Sequence, residues 1–173
     1  MNILAIDLGG YTGYAYGTRG EILDSGVCCV KQKTAEHYGK RYFNFYSILM
    51  EYIETHPADL IAYELVRGHR GIVDAHAWGG YEAILMLVSL QREIPCIYIH
   101  TGTLKKFATG SGKASKIQMI TAAREAGLNF NSTPSFQDNE ADAYWILRWA
   151  QTQETYANKE TPKTNSRKAT MST

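Results

Sequence analysis

This sequence predicts a mixed-sheet α/β domain, and three observations carry the prediction. Residues 2–30 hold three consecutive strand-like runs broken only by turn signals, the pattern of an antiparallel meander. Beyond residue 35 the apolar spacing turns helical, and two more short strand-like runs lie between helices. At 173 residues and 45% hydrophobic content, the chain suffices for one well-packed core and is too short for two.

Taken in order, "NILAID" (2–7) is apolar on both faces, as suits a buried central strand. The Gly9-Gly10 turn leads into "TGYAYGT" (12–18), and "RG" connects that strand to "EILDSGVCCV" (21–30). Gly9, Gly10 and Thr12-Gly13 are read as the residues that shape the first hairpin. Tyr42, Phe45, Tyr46, Leu49 and Ile53 recur at helical spacing within a helix expected over 35–55, which His56-Pro57 ends. "ADLIAYE" (58–64) is a short buried strand. A loop over 65–74 follows, then a helix over 75–93 and the strand "PCIYIH" (95–100). Residues 101–116 read as a basic segment, 116–127 as a helix, 129–137 as a loop and 138–151 as the last helix. The domain is placed at 1–152, and the polar 153–173 segment is expected to be a disordered tail.

The formal net charge of +1 gives no global basic field, although a local basic patch is compatible with it. Cys28, Cys29 and Cys96 form neither a paired framework nor a CxxC, so free thiols in a reducing compartment are expected. No signal peptide is visible, and "AILMLVSL" (83–90) is far too short to span a bilayer. A soluble, cytoplasmic protein without a membrane partner is the expectation.

The acids carry the chemistry. Asp7 ends the first strand, Glu64 ends the fourth, and Asp142 falls in the first turn of the last helix. Singly, each is as readily a helix cap or an arginine partner. As a set they mean more. Neighbouring strands ending on one sheet edge bring Asp7 and Glu64 together, and their repulsion favours a hard divalent cation such as Mg²⁺ or Mn²⁺. Asp138 and Asn139, four and three residues before Asp142, share its helical face, although Asp138 reads more readily as an N-cap than as a ligand. The "DLGGYTG" stretch also fits the phosphate loop of sugar kinases and actin-like ATPases, but those need two lobes.

"AIDLGGYTGYA", "LIAYE" with the glycine-containing loop after it, "GSGKASK" and "DNEADAYWI" together resemble the RuvC family of Holliday junction resolvases. Phage-type members are the nearest likeness, which spans residues 3–150. The resemblance implies a ribonuclease-H-like fold: a mixed five-stranded sheet, three antiparallel strands then two parallel, flanked by helices. It also implies a homodimer that cuts branched DNA, four-way junctions above all, with Mg²⁺, for which Mn²⁺ substitutes. The family's metal-bridging acids match Asp7 and Glu64, and the last acid of its "DAADA"-like motif matches Asp142. The motif's other acid or histidine falls on Asn139, a departure for which Asp138, one residue earlier, is a candidate replacement.

Lys105, Lys106, Lys113 and Lys116 crowd one segment, where glycines let backbone N–H groups approach a phosphate. Lys116 at a helix start opposes the macrodipole and so needs a reason to be there. The resemblance places Lys105 and Lys116 at the scissile region, with Lys116 among the catalytic residues. Arg67 and Arg70 lie beside Glu64 in a loop suited to tracking DNA, and Arg67 stands about where some members carry an aromatic wedge. "GSGKAS" lacks the first glycine of a Walker loop. Trp78, Gly79 and Gly80 suggest either a dimer interface or tight packing within one chain. Two other readings compete with the resolvase: a nuclease of the same fold acting on forked DNA or structured RNA, and a DNA-binding scaffold whose site has decayed.

Overall fold

Strand β1 (Ile3–Asp7) lies at the centre of the sheet, and its first four residues are at most 3% exposed. The structure, a computed structural model, describes residues 1–31, 39–68 and 71–153. β2 (Tyr11–Thr18) and β3 (Glu21–Cys29) complete the antiparallel meander, with Asp7 opposite Gly13. β4 (Leu60–Leu65) runs parallel to β1, and β5 (Cys96–His100) runs parallel to β4. The five-stranded order is β3-β2-β1-β4-β5, so the expected mixed sheet is present.

Strand alternation divides the apolar residues between two cores. Leu4, Ile6, Ile61 and Tyr63 face α1 (Lys40–Thr55) and α2 (Ile72–Gln91), which contribute Phe45, Leu49, Ile53, Tyr81, Leu85 and Val88. Ile3, Ala5, Leu60, Ala62, Ile97 and Ile99 face α3 (Thr101–Thr109), α4 (Lys116–Glu125) and α5 (Gln137–Ala150). α5 lies over β1 and β2 and supplies the largest share of that second core, including Tyr144, Trp145, Ile146 and Leu147. Burying each such side chain stabilises the fold by roughly 1.5–3 kcal/mol.

Several boundaries differ from the sequence reading. The basic segment contains α3, a helix that only Leu104 anchors by full burial, so it left almost no apolar period to detect. The helix is capped at Gly110, whose φ of 80° lies in the left-handed region. α2 begins at Ile72, three residues before the expected start at Ala75, because its first turn is exposed rather than core-facing. α5 begins at Gln137 after a 3₁₀ turn at Pro134–Phe136, which puts Asp142 in its second turn rather than its first. The N-cap is Phe136, and Asp138 sits inside the first turn without a capping bond. Gly80 is used within the chain, since a Cβ there would lie 2.3 Å from the Tyr42 ring. The start of the helix expected from 35, Arg70, and all but the first residue of the expected tail lie outside the described residues.

Candidate metal centre and its basic rim

Parallel register builds the first half of the site. Ile6 pairs with Tyr63, so the next residues, Asp7 and Glu64, stand side by side at the carboxyl end of the parallel pair. Because Ile3, Ala5, Leu60 and Ala62 face the α5 side, strand alternation sends Asp7 and Glu64 to the same side. Neither is solvated in the ordinary way: Glu64 is 6% exposed and Asp7 is partly buried.

Helix α5 brings the second half. Its backbone passes so close to β2 that a Cβ on Gly13 would lie 2.0 Å from the Asn139 carbonyl oxygen. Glycine at position 13 is therefore a clearance for α5, a role distinct from hairpin shaping. The approach lets the Asn139 amide Nδ2 donate to Asp7 Oδ2 at 3.2 Å. Asp142 follows three residues later on the same face, partly buried.

The electrostatics show how closely these acids are grouped. Burial raises the Asp7 carboxyl well above its ordinary range, Asp142 and Glu64 add to the rise, and the Asn139 hydrogen bond opposes it. Asp142 is pushed up to about 7 by burial, with Glu64 and Asp138 contributing and Lys105 and Lys116 opposing. Glu64 is raised by burial, against the Thr101 hydroxyl bond and Lys105. Thr101, the first residue of α3, has no counterpart in the sequence reading. Its signal there was only a threonine following a strand.

The rim is basic on one side. Lys105 is half-buried and acts on Glu64 and Asp142. Lys116 Nζ forms an ion pair with Asp138 Oδ2, which offsets the unfavourable placement of a cation at the start of α4. Lys106, Lys113 and Arg67 are exposed and are absent from the charges acting on the acids. The Tyr11 and Phe136 rings pack at a tilt of 32° with centroids 4.5 Å apart, joining the start of β2 to the start of α5.

One buried acid has a different task. Glu140 is 0% exposed and accepts from Ser25 Oγ at 2.7 Å, Asn131 N at 3.1 Å and Ser132 N at 2.8 Å. It ties the loop before α5 to β3, and so helps to fix the helix that carries Asn139 and Asp142.

The donor chemistry fits a hard divalent cation: carboxylates destabilised by burial and mutual repulsion, beside an amide. The side chains would have to draw inward around an ion, since no three acidic, histidine or cysteine groups among the described residues already form an ion-holding set. Asp7, Glu64 and Asp142 are the residues that would hold it, with Asn139 adjacent, while Asp138 is engaged by Lys116. No helix among the described residues is long and apolar enough to cross a membrane.

No family model matches the sequence. It is 31% identical over 154 residues to the crossover junction endodeoxyribonuclease RuvC of Rhodopirellula baltica, covering 83% of this chain and 82% of that protein. It is 36% identical over 108 residues to the protein of the same name from Bifidobacterium adolescentis, covering 61% of this chain and about half, 54%, of that protein. Among solved structures, T. thermophilus RuvC in complex with Holliday junction substrate superposes with a TM-score of 0.72 at 21% identity, covering 87% of this chain and 95% of that one. The yeast mitochondrial Holliday junction resolvase Ydc2 gives a TM-score of 0.62 at 19% identity, covering 90% of this chain and 81% of that one. These structural likenesses carry the fold, a RuvC-type ribonuclease-H-like domain.

Proposed function

We propose, from the premise that this chain belongs to the RuvC family of crossover junction endodeoxyribonucleases, that it resolves four-way DNA junctions by hydrolytic nicking at the Asp7–Glu64–Asp142 centre. The observation that supports this site most strongly is the convergence of three raised carboxylates at the end of the parallel β1–β4 pair, faced by Lys105 and Lys116.

Mg²⁺, with Mn²⁺ able to substitute, is the proposed cofactor; bound there, such ions supply an activated water and charge neutralisation at the leaving 3′-oxygen. The chain's own residues do the rest. Asn139 orients the Asp7 carboxylate through its amide, and Thr101 does the same for Glu64. Being neutral, Asn139 adds no anionic charge, so three carboxylates carry the charge of the centre. Lys105 and Lys116 lower the cost of assembling that charge and offer ammonium groups to a phosphate. Lys106, Lys113 and Arg67 extend the cationic edge along a DNA backbone, with Arg70 assigned to the same role from the sequence.

A homodimer places two such centres on one junction. Ile72, Val73, Leu87 and Leu90 on α2 are between 52% and 77% exposed, an apolar surface suited to a second copy. The test is competition among four-way, forked, linear duplex and structured RNA substrates in Mg²⁺. Preferential nicking of the four-way junction is expected, and preference for any other substrate would remove the resolvase assignment.

A further inference from the structure

The Lys116–Asp138 pair has a property that the cleavage chemistry does not use. Lys116 is the first residue of α4, directly after Ser115, whose hydroxyl and partner Gln118 form a reciprocal cap. Its backbone position is therefore fixed, while its side chain is 78% exposed and reaches across to an Asp138 side chain only 18% exposed. The ammonium is held largely by this carboxylate, with Asp142 and Asp7 acting more weakly from the acid centre. Asp138 stands one residue before Asn139, whose amide touches Asp7, so the pair spans the lip of the centre.

We propose that Asp138 is an internal stand-in for substrate phosphate, holding Lys116 over the centre in the free protein and yielding it to a DNA phosphate on binding. The inference rests on the reading of this site as a DNA-cleaving centre. A carboxylate oxygen on a lysine ammonium occupies the place a phosphate oxygen would take, with the same sign of charge. Exchange keeps Lys116 paired throughout, and the released carboxylate remains in the first turn of α5, where the helix N-terminus favours an anion. Two consequences follow for the exposed lysine. It is oriented before the substrate arrives, and part of its phosphate affinity is spent on displacing Asp138. Asp138 is thus a positioning residue, acting through Lys116.

The test is a double-mutant cycle on junction affinity in EDTA, where cutting does not interfere. Wild type, Asp138→Asn, Lys116→Gln and the double variant are titrated against a labelled four-way junction and a linear duplex over a range of salt. Asp138→Asn is expected to tighten binding by up to about fivefold, the scale of an exposed ion pair. It should also steepen the salt dependence by up to about 0.9 in log–log slope, since no released Asp138 carboxylate then takes up a cation to offset the one that Lys116 displaces from the phosphate. In the Lys116→Gln background the same substitution should change little. Equal tightening in both backgrounds would reduce the effect to generic charge and overturn the proposal, as would unchanged or weaker binding by Asp138→Asn. A wild type without preference for the junction over duplex would instead count against the resolvase reading, while the cycle is still read on duplex. Absence of binding by all four proteins overturns both.

Discussion

Replacing Gly13, the residue opposite Asp7, with alanine adds one methyl group that carries no chemistry of its own, yet it should disable the centre. The new Cβ would lie 2.0 Å from the Asn139 carbonyl oxygen, 2.6 Å from its carbonyl carbon and 3.3 Å from the Ala143 Cβ. The first two are backbone atoms of α5, so no side-chain rotation relieves the clash. Restoring ordinary contact, near 3.5 Å, requires α5 and β2 to separate by roughly 1.5 Å. β2 cannot simply retreat, because it is hydrogen-bonded between β1 and β3. The Asn139–Asp7 bond, already 3.2 Å, would then be lost, and Asp142 would move with the helix. Overpacking of this kind costs about 1–3 kcal/mol, which at roughly 2–4 °C per kcal/mol lowers Tm by several degrees. A misplacement on the order of 1 Å costs about 100-fold in rate. The assay pairs thermal melting with single-turnover junction nicking at a temperature where the variant is folded. Gly79→Ala is the control, since a Cβ there meets nothing within 4 Å. Wild-type Tm and nicking rate for Gly13→Ala would refute the argument that this glycine clears the way for α5.

The metal-free protein should lose stability as pH rises. Asp7, Glu64 and Asp142 have folded-state pKa values above their unfolded ones, so between about pH 4 and 7 the folded state holds more protons than the unfolded state. Tm in EDTA should therefore be lower at pH 8 than at pH 5.5, Mg²⁺ should narrow that gap, and Asp142→Asn should flatten it; a pH-independent contribution would contradict the assignment of a strained acid cluster. Glu140→Ala should cost about 3 kcal/mol, because it strands the buried Ser25 hydroxyl and removes the acceptor of the part-buried Asn131 and Ser132 amide bonds. Melting together with amide exchange at Asn131 and Ser132 checks this, and unchanged protection would show that the carboxylate does not hold the loop.

How much of this was legible depended on whether the signal was local. An apolar run closed by an acid marks Asp7 and Glu64 within a few residues, and the parallel pairing of their strands supplies their proximity. The strands and the longer helices were legible because their cores are built at a regular period. Helix α3 was not, because one buried leucine carries no period. The clearance at Gly13 was invisible for a different reason: its partner is Asn139, on the last helix, and a glycine beside a turn already has a sufficient local explanation. The Lys116–Asp138 pair joins residues 22 apart on different helices, and each alone reads as a helix-start residue. Asp138 looked like a cap because an acid heads the last helical run, but the 3₁₀ turn ahead of α5 sets the cap two residues earlier, at Phe136. Gly80 could equally have served a dimer, and only the Tyr42 ring places its use within the chain.

The central claim is that Asp7 anchors a metal-dependent centre that cuts branched DNA. The most direct measurement is nicking of a synthetic four-way junction by wild type and Asp7→Asn, each in Mg²⁺ and in EDTA, with thermal melts to establish that both are folded. Nicking by wild type in Mg²⁺ alone, with a folded and inactive Asp7→Asn, is the predicted result. Equal cutting by the variant, or undiminished cutting in EDTA, would contradict it.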